Sequence, residues 1–411
     1  MIFTSLSPNV QKDDLKLALK TLCAPASWQS GETTAELEAA FRRFLKVSSA
    51  FSFVSGRTAL FAILKSLEIK AGDEVLVQAY TCVAAVAPIL WCKARPIYVD
   101  CENDFNLSPE DLRKKITPRC KAVIVQHTFG QPAQLEKIIS LAIKHNLFLI
   151  EDGAHSLGSF YQGRKIGTFG IASFWSFGRD KILSSTFGGM ITTDDGGLAQ
   201  KISVLKSSFP YPSKLWIFRQ LLHPLVLWLA KKTYAFFALG KIILALAKKL
   251  KIISLAVEAG EKTGEPPSFA MHKMPNALAI LALNQFKKLD QFNQHRKKIA
   301  CFYQENLKKE SAFTLPPPNE KAQSVYLRYT ILSPQAPRII REASQKGLEL
   351  GNWYNAPIAP SGVNYAKVGY AAGSCPRAES LSRQSVNLPT HIQITEKDEQ
   401  RIVDFIKKYR F

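Results

Sequence analysis

The sequence predicts an α/β protein in which a large domain with a mostly parallel sheet flanked by helices precedes a smaller α+β C-terminal domain. The first observation is a set of short apolar runs at 75–77, 122–125 and 147–150. Runs of this length, bounded by polar or glycine residues, indicate strands buried on both faces. The second is the helical periodicity of 136–146 between two of the runs. Strands that alternate with helices predict a parallel sheet, whose ligands bind beyond the carboxyl ends of its strands.

The third observation is a change of pattern after the proline run at 316–318. A strand pattern at 325–332 is followed there by helical patterns at 338–346 and 396–409, as expected for a small α+β domain. We therefore divide the 411 residues into a large domain at 1–208, an apolar and basic helical insertion at 209–260, helices returning to the domain interface at 261–310, and the C-terminal domain at 311–411.

The composition is that of an ordinary folded protein, with 46% hydrophobic and 21% charged residues. The seven cysteines are odd in number, and no two stand at C-x-x-C spacing. This pattern argues against a disulfide framework or a metal cluster and favours a reducing compartment. The first ten residues have neither a basic segment nor a long apolar run. No signal peptide is predicted, and we expect a cytoplasmic protein.

The net charge of +21 is concentrated in one part of the chain. Residues 201–328 contain 21 basic and 7 acidic residues, and between Lys206 and Lys251 there are nine Lys or Arg and no Asp or Glu. An excess of this kind indicates a polyanionic partner, which is a phosphate-bearing substrate, an anionic membrane surface or nucleic acid. The alternative is a solvated basic face without a partner.

The insertion at 209–260 holds two apolar, basic stretches, 215–232 and 234–251. Neither is an uninterrupted apolar run of about 20 residues, which argues against a membrane-spanning helix. The pattern predicts either helices that bind peripherally at the inner face of a membrane, or helices that pack on the protein or on a second subunit.

Two motifs place polar residues where such a sheet binds its ligand. The segment 55–58, Ser-Gly-Arg-Thr, opens an apolar helical pattern, and a small-residue turn at a helix N-terminus offers free N–H groups to a phosphate. Asp152 and His155 follow directly on the predicted strand at 147–150. A carboxylate at this point keeps a pyridinium nitrogen protonated, which makes the ring an electron sink. Taken alone, each motif is equally well explained by an ordinary helix start or turn.

A lysine after another apolar strand pattern completes the set. Residues 173–177 lead into a turn that holds Lys181, and the pair Gly188-Gly189 precedes the next strand. A lysine that forms a Schiff base must be partly desolvated, so that its neutral amine is available as nucleophile and base. Two adjacent glycines let the backbone approach a ligand closely. A lone lysine is usually a solvated surface residue, but the four features together are far more specific.

This set of motifs resembles the DegT/StrS-type (DegT/DnrJ/EryC/StrS) family of nucleotide-sugar aminotransferases, which depend on pyridoxal 5'-phosphate. The resemblance runs from about residue 33 to residue 409 and is densest between 55 and 194. It also rests on the segments 72–75, 116–122, 130–133, 176–181, 376–379 and 388–391. It implies the fold-type-I architecture, a homodimer, and pyridoxal phosphate (PLP) with its amine form (PMP) as the cofactor.

The resemblance implies three catalytic residues, which also contact the cofactor. Lys181 matches the lysine that carries the cofactor as a Schiff base and later moves protons. Asp152 matches the acid that faces the pyridine nitrogen, and His155 matches a position close to the cofactor ring.

Four further cofactor contacts are implied, at Arg57, Thr58, Cys82 and Ser176. The hydroxyl of Ser176 matches a phosphate ligand, and Arg57 and Thr58 match positions that hold the same phosphate. Family members often have an aromatic residue where this chain has Cys82, so ring stacking is either weaker here or supplied elsewhere. The asparagine with which the family reaches the phosphate of a second subunit is Met271 in this chain.

The activity implied by the resemblance is ping-pong transamination. An amino acid, expected to be glutamate, gives its amino group to the cofactor, which passes it to a keto group of a nucleotide-linked sugar. One alternative is a PLP-dependent sugar dehydratase of the same fold, although relatives of that type lack the lysine that Lys181 matches. The other is a non-catalytic binding protein that uses the basic region at 201–328 to associate with a membrane or with nucleic acid, of which the nucleic acid is the less expected partner.

Overall fold

The computed structural model describes residues 1–234, 239–250 and 252–409. In that part of the chain the helices, α1 to α15, are Lys12–Leu22, Thr33–Leu45, Gly56–Ser66, Val83–Trp91, Pro109–Lys115, Leu135–Lys144, Gly196–Ser208, Lys214–Lys232, Leu239–Lys249, Asn276–Phe286, Leu289–Leu307, Ala336–Gln345, Tyr365–Val368, Pro376–Gln384 and Glu396–Ile406. The strands, β1 to β16, are Ile2–Phe3, Ser49–Phe53, Glu74–Gln78, Thr81–Cys82, Arg95–Val99, Cys120–Gln126, Phe148–Asp152, Phe160–Tyr161, Arg164–Lys165, Ala172–Ser176, Gly189–Thr193, Ala322–Gln323, Tyr329–Leu332, Leu348–Glu349, Ile358–Ala359 and Ser385–Leu388.

The large domain is built on a seven-stranded sheet in the order β2-β11-β10-β7-β6-β3-β5. Neighbouring strands from β10 to β5 are parallel, whereas β11 runs antiparallel to β10 and β2 on its two sides. The mostly parallel sheet predicted from the apolar runs is therefore confirmed. The carboxyl ends of β7 and β10 meet at the same edge of the sheet, because the two strands are parallel neighbours.

Both faces of this sheet are buried, which explains why its strands are continuous apolar runs. Val75 and Val77 belong to one apolar cluster, and Leu76 between them belongs to another. Ile150 and Leu149 divide between the two clusters in the same way. Side chains alternate across a strand, so each face requires its own cover. Helices α3 and α4 supply apolar side chains to the first cluster, and α5 and α6 to the second.

The C-terminal part has its own apolar cluster, around the antiparallel pair β13 and β16 and the helices α12 and α15. Strand β13 begins only at Tyr329, not at residue 325 as the pattern predicted. Tyr326 has a left-handed φ of 48°, which interrupts the extended conformation just before the strand. Strand β1 pairs with β14, so the first residues of the chain also contact this part. The boundaries assigned at 208, 260 and 310 stay predictions.

Helices α8 and α9 form a hairpin from the inserted segment. Ile217 and Leu221 of α8 are fully buried and belong to the cluster that α10 also enters, which fixes the hairpin to the large domain. Gly240 of α9 lies against the carbonyl of Ala230, where a Cβ would collide with the backbone. Across the described residues, no helix has the length and apolar content needed to cross a membrane.

The predicted small-residue turn at 55–58 starts helix α3, which points its N-terminus at the carboxyl edge of the sheet. Ser55 caps the helix, its Oγ accepting a hydrogen bond of 3.2 Å from the Thr58 N–H. Gly189, the first residue of β11, lies directly beneath this turn, and a Cβ there would collide with the backbone of Ser55 and Gly56. The glycine pair singled out in the sequence therefore allows two backbone segments to approach closely.

We expect Gly189→Ala to destabilise the protein by about 1–3 kcal/mol, because the added methyl group meets backbone that cannot rotate away. The matched control is Gly196→Ala at the start of α7, where the added Cβ has no atom within 4 Å. Thermal melting of both variants tests the difference, which for a chain of this size corresponds to a few degrees. Equal melting temperatures in the two variants would contradict the close approach.

Candidate active site

A cavity lies at the carboxyl edge of the sheet, where β7, β10 and the N-terminus of α3 converge. Six of the seven residues predicted to form the site line this one cavity: Arg57, Cys82, Asp152, His155, Ser176 and Lys181. Thr58 lies behind the wall. It is fully buried, and its hydroxyl is 2.9 Å from the Ser55 Oγ that caps α3.

Lys181 is carried by the turn that follows β10, and this turn is fixed by hydrogen bonds from the N-terminal segment. The Asn9 side-chain amide donates to the backbone carbonyls of Lys181 (2.7 Å) and Ile182 (2.8 Å). Arg296, which has no exposed surface, in turn donates to Asn9 Oδ1 at 2.7 Å. The turn therefore cannot shift without disrupting a buried polar network. No sequence pattern pointed to Asn9 or Arg296, because both lie far from the turn along the chain.

Enclosure in the cavity lowers the pKa of Lys181 to about 8, because desolvation disfavours the ammonium form. The carboxylate of Asp152 acts in the opposite direction by attraction, and the guanidinium of Arg328 adds to the lowering by repulsion. The neutral amine is therefore far more abundant near neutral pH than in an ordinary lysine, although the ammonium form still predominates at pH 7. The neutral amine is the state required of a nucleophile or a base.

The acid pair at the end of β7 divides between two environments, because consecutive side chains of a strand point to opposite faces. Glu151 is fully buried and accepts hydrogen bonds from the N–H groups of Gly167 (2.8 Å), Phe169 (2.6 Å) and Gly170 (2.9 Å). Its role is to hold that loop against the strand.

Asp152, by contrast, faces the cavity. The one hydrogen bond of its carboxylate to a described residue is the 3.0 Å bond that Oδ1 accepts from the Ala154 N–H. Burial raises its pKa, and attraction by Lys181 opposes the rise. This carboxylate retains the capacity to accept a hydrogen bond from a cationic N–H in the cavity.

His155 is held as a neutral ring. Burial lowers its pKa well below the ordinary value, and Lys181 and Arg328 add repulsion. Its Nδ1 accepts a hydrogen bond from the Phe129 N–H at 3.2 Å, so the proton of the neutral ring is assigned to Nε2. The ring stacks on Phe129 at 5.9 Å and on Tyr354 at 6.1 Å. These contacts make His155 a hydrogen-bond donor of fixed orientation and not a base.

The N-terminus of α3 and Ser176 form a cradle with hydrogen-bond donors. A Cβ at Gly56 would come within 3.0 Å of the Ser176 Cβ, so the hydroxyl-bearing side chain lies against the first turn of the helix. The first N–H groups of a helix have no partner inside it. Backbone N–H groups, the helix dipole and the Ser176 hydroxyl together fit a phosphate group.

The guanidinium of Arg57, which was expected to hold the same phosphate, is engaged elsewhere. It forms a salt bridge with the fully buried Glu261, donates to the carbonyl of Ala256 at 2.7 Å, and lies over the ring of Phe269. Arg179 donates to the carbonyl of Ser254 at 2.6 Å. The segment 254–261, which spans the end of the insertion and the residue directly after it, is thereby tied to the cavity mouth by two arginines.

The opposite wall comes from the C-terminal part of the chain, which the sequence did not connect with the site. Trp353 and Tyr354 line the cavity beside Cys82, so aromatic rings are present although position 82 lacks one. Arg328 lies over the Trp353 ring at 5.0 Å and is only 4% exposed. Among the described residues it makes no salt bridge, and its Nη1 donates only a long hydrogen bond of 3.4 Å to Asn387 Oδ1. A single arginine in 325–332 carried no distinguishing pattern.

The chain is similar to known aminotransferases over most of its length. The family model described as the DegT/DnrJ/EryC1/StrS aminotransferase family matches residues 9–209 and 245–407. GDP-perosamine synthase of Caulobacter vibrioides is 28% identical over 393 residues, covering 93% of this chain and 91% of that protein. The UDP-N-acetyl-3-dehydro-alpha-D-glucosamine 3-aminotransferase of Acidithiobacillus ferrooxidans is 34% identical over 198 residues, covering 48% of this chain and 54% of that protein.

Among solved structures, that of Helicobacter pylori PseC, an aminotransferase of pseudoaminic acid biosynthesis, superposes with a TM-score of 0.78 at 24% identity. The superposition covers 100% of this chain and 99% of that one. This likeness confirms the fold predicted from the sequence.

We expect Lys181 in the cofactor-free protein to titrate near pH 8, because its enclosure disfavours the ammonium form. Competitive acetylation at a series of pH values, read by peptide mass spectrometry, measures this midpoint. Arg328→Gln removes a repulsion and should raise it, whereas Asp152→Asn removes an attraction and should lower it. A midpoint at about pH 10.4, the pKa of an ordinary lysine, would show that the amine is solvated.

Proposed function

The chain belongs to the DegT/DnrJ/EryC1/StrS aminotransferase family, and from this premise we propose that it aminates a keto group of a nucleotide-linked sugar with pyridoxal phosphate as its cofactor. The sugar class is supported by the relatives, since one is named GDP-perosamine synthase and another is named for a UDP-linked amino-sugar substrate. The observation that carries the proposal is that one cavity, beside a helix N-terminus, encloses both the Lys181 amine and the Asp152 carboxylate. This carboxylate accepts only one hydrogen bond from the described residues.

The residues present fit pyridoxal phosphate. The first turn of α3 and Ser176 would hold its phosphate, and Asp152 would accept the hydrogen bond of its ring nitrogen. His155 would donate a hydrogen bond from Nε2 to the ring substituents, and Trp353 and Tyr354 supply aromatic surface in the same cavity. When bound, the cofactor supplies the electron sink on which amino-group transfer depends.

The chemistry that falls to the protein is proton transfer and charge placement. Lys181 would attach the cofactor through Nζ and, once released, would carry the proton that moves between substrate and cofactor carbons. Its lowered pKa suits both tasks, because Nζ must lose and regain a proton near neutral pH. Asp152 would keep the charge that makes the ring electron-poor, and the neutral His155 would orient the ring without competing for that proton.

The amino donor is proposed to be glutamate, and Arg328 supports a donor of this class. A buried guanidinium without a carboxylate partner is costly, since its desolvation is not offset by an ion pair. Arg328 is such a group within the described chain, and it lies on the ring of Trp353, which lines the cavity. A carboxylate of the incoming amino acid would form a charge-assisted hydrogen bond with it and supply the missing negative charge.

The assembly is proposed to be a homodimer, as the resemblance implies.

The dehydratase of the same fold is the second candidate for the chemistry, and the lysine that such relatives lack is enclosed in the cavity of this chain. The two reactions give different products, because transamination adds nitrogen to the sugar and dehydration removes water from it.

We expect nitrogen from [15N]glutamate to enter a keto-sugar nucleotide, and borohydride reduction to fix the cofactor on Lys181. Lys181→Ala should lower turnover by at least about a thousandfold, the usual scale for losing a positioned acid–base group, while its melting temperature stays close to that of the wild type. Lys201→Ala is the matched control at an exposed lysine. Mass spectrometry measures both the 15N content of the sugar nucleotide and the position of the reduced cofactor on the protein. Loss of water without 15N uptake would favour the dehydratase, and a label on another lysine would remove Lys181 from its role.

We expect Arg328→Gln to raise the KM for glutamate by about 10- to 100-fold, the worth of a hydrogen bond between charged groups. Stopped-flow absorbance of the half-reaction with glutamate alone measures this, and the half-reaction with the sugar nucleotide serves for comparison. Arg328→Lys should restore part of the affinity, and Arg338→Gln on the exposed face of α12 is the control. Equal losses in both half-reactions would show that Arg328 supports the fold and not the donor.

A further inference from the structure

The hairpin of α8 and α9 exposes much of the apolar surface of the described chain. Among the residues that the structure describes, fifteen large apolar side chains are exposed, and nine of these lie between residues 215 and 255. The concentration of such residues in one short segment marks a surface that contacts something other than water.

The exposed residues of α9 form a stripe along one side of the helix. Leu239, Ile242 and Leu246 of this helix, and Leu250 directly after it, are spaced three or four residues apart, and Ile242, Leu246 and Leu250 are 51%, 52% and 63% exposed. Residues at this spacing share a helix face. A neighbouring side is turned inward, where Gly240 is buried and Ala247 is 4% exposed. This helix therefore presents its apolar face to the outside.

Helix α8 repeats the arrangement. Leu215, Phe218 and Leu229 are exposed, and the half-buried Leu222 and Leu225 continue the stripe between them at the same spacing. Trp228, 43% exposed, lies next to Leu229. Because α8 buries Ile217 and Leu221 in the domain core, its outward side is held in place by the fold.

Cations surround the two stripes, and acids are absent from them. Between Lys206 and Lys251 the sequence has no Asp or Glu. Six cations of the segment make no salt bridge with any residue that the structure describes: Lys214, Arg219, Lys231, Lys232, Lys241 and Lys249. A groove beside α8 brings Lys12 and Lys16 of α1 to Lys231 and Lys232. The carboxylate of Asp13 also lines this groove, but it is paired with Lys288 at 2.7 Å.

We propose that this hairpin docks the enzyme on an anionic lipid bilayer, with the stripes of α8 and α9 in the interface and the lysines at the headgroup phosphates. Apolar side chains flanked by cations on helices too short or too polar to cross the bilayer are the pattern of interfacial helices. Each lysine or arginine near an anionic leaflet adds attraction, and that attraction is screened by salt.

A second copy of the chain fits this surface less well. In a twofold contact the same patch faces itself, so the unpaired cations of one hairpin would meet those of the other. The family model also leaves residues 210–244 unmatched, which are α8 and the first half of α9. The hairpin thus lies largely outside the segments that the family model matches, and the docking inference does not depend on which sugar or donor the cavity accepts.

Flotation of the full-length holoenzyme with vesicles tests the proposal. Wild type should float with phosphatidylcholine vesicles containing one-third phosphatidylglycerol at about 0.05 M salt, and much less with phosphatidylcholine alone. At about 0.5 M salt binding should fall without vanishing, because the apolar term is not screened. Trp228 should be quenched by brominated lipid, and Trp228→Phe should remove that quenching.

Three surface variants assign the binding. Ile242→Glu with Leu246→Glu should reduce the bound fraction at least about tenfold, and Lys241→Glu with Lys249→Glu should reduce it at low salt. Ile143→Glu on α6, at a residue 73% exposed on another helix, should float as wild type does. Cofactor absorbance and size-exclusion chromatography confirm that each variant is folded and keeps its oligomeric state. Wild type that stays in the soluble fraction overturns the proposal. A stripe variant that floats as well as wild type also overturns it. If neither wild type nor the stripe variant floats, and the stripe variant loses its oligomeric state, the stripe is assigned to a contact with a second copy.

Discussion

The enclosure of the Lys181 amine in a desolvated cavity is the constraint on which the rest of the site depends. Desolvation favours the neutral amine, Asp152 opposes this by attraction, and Arg328 reinforces it by repulsion. The balance holds Nζ where it can exchange a proton near neutral pH, as the proposed transamination requires. Such a balance depends on distance, so the turn carrying the lysine must not move. Asn9 meets this requirement by donating hydrogen bonds to the turn backbone, and the buried Arg296 holds Asn9 by donating to its side-chain oxygen.

The inserted segment contacts the site as well as the outside of the protein. Its last residues return to the cavity mouth, where Glu261 binds Arg57 and the carbonyls of Ala256 and Ser254 accept from Arg57 and Arg179. These contacts take the Arg57 guanidinium away from the phosphate cradle, which is left to the helix N-terminus and Ser176. The insertion thus has two parts with different physical roles. The hairpin presents apolar and cationic surface to the outside, and the returning segment closes one wall of the site.

The lining of the cavity also shows which residues supply aromatic surface in a chain that lacks an aromatic residue at position 82. Trp353 and Tyr354 reach the cavity from the C-terminal part, and Tyr354 stacks with the His155 ring at 6.1 Å. The large domain and the C-terminal part therefore both contribute residues to the same cavity. An enzyme built in this way needs both parts in contact before the site is complete, which places the chemistry at the junction of the two.

The sequence by itself determined the features that depend on neighbours along the chain. Apolar runs at 75–77, 122–125 and 147–150 identified strands of the parallel sheet, and the motifs at 152–155 and 181 identified side chains that the fold brings into one cavity. Local backbone geometry accounts for this, because each motif follows directly on a strand whose direction in the sheet is fixed. Only the tertiary structure decided the partners of those residues. The pairing of Arg57 with Glu261, and the approach of Arg328 and Trp353 to the cavity, join segments far apart in the chain. The strand predicted from residue 325 was wrong at its start for a local reason, the left-handed φ of Tyr326. The direction faced by the stripes of α8 and α9 was likewise left open, because helical periodicity shows that a face is apolar and packing alone decides whether it is covered.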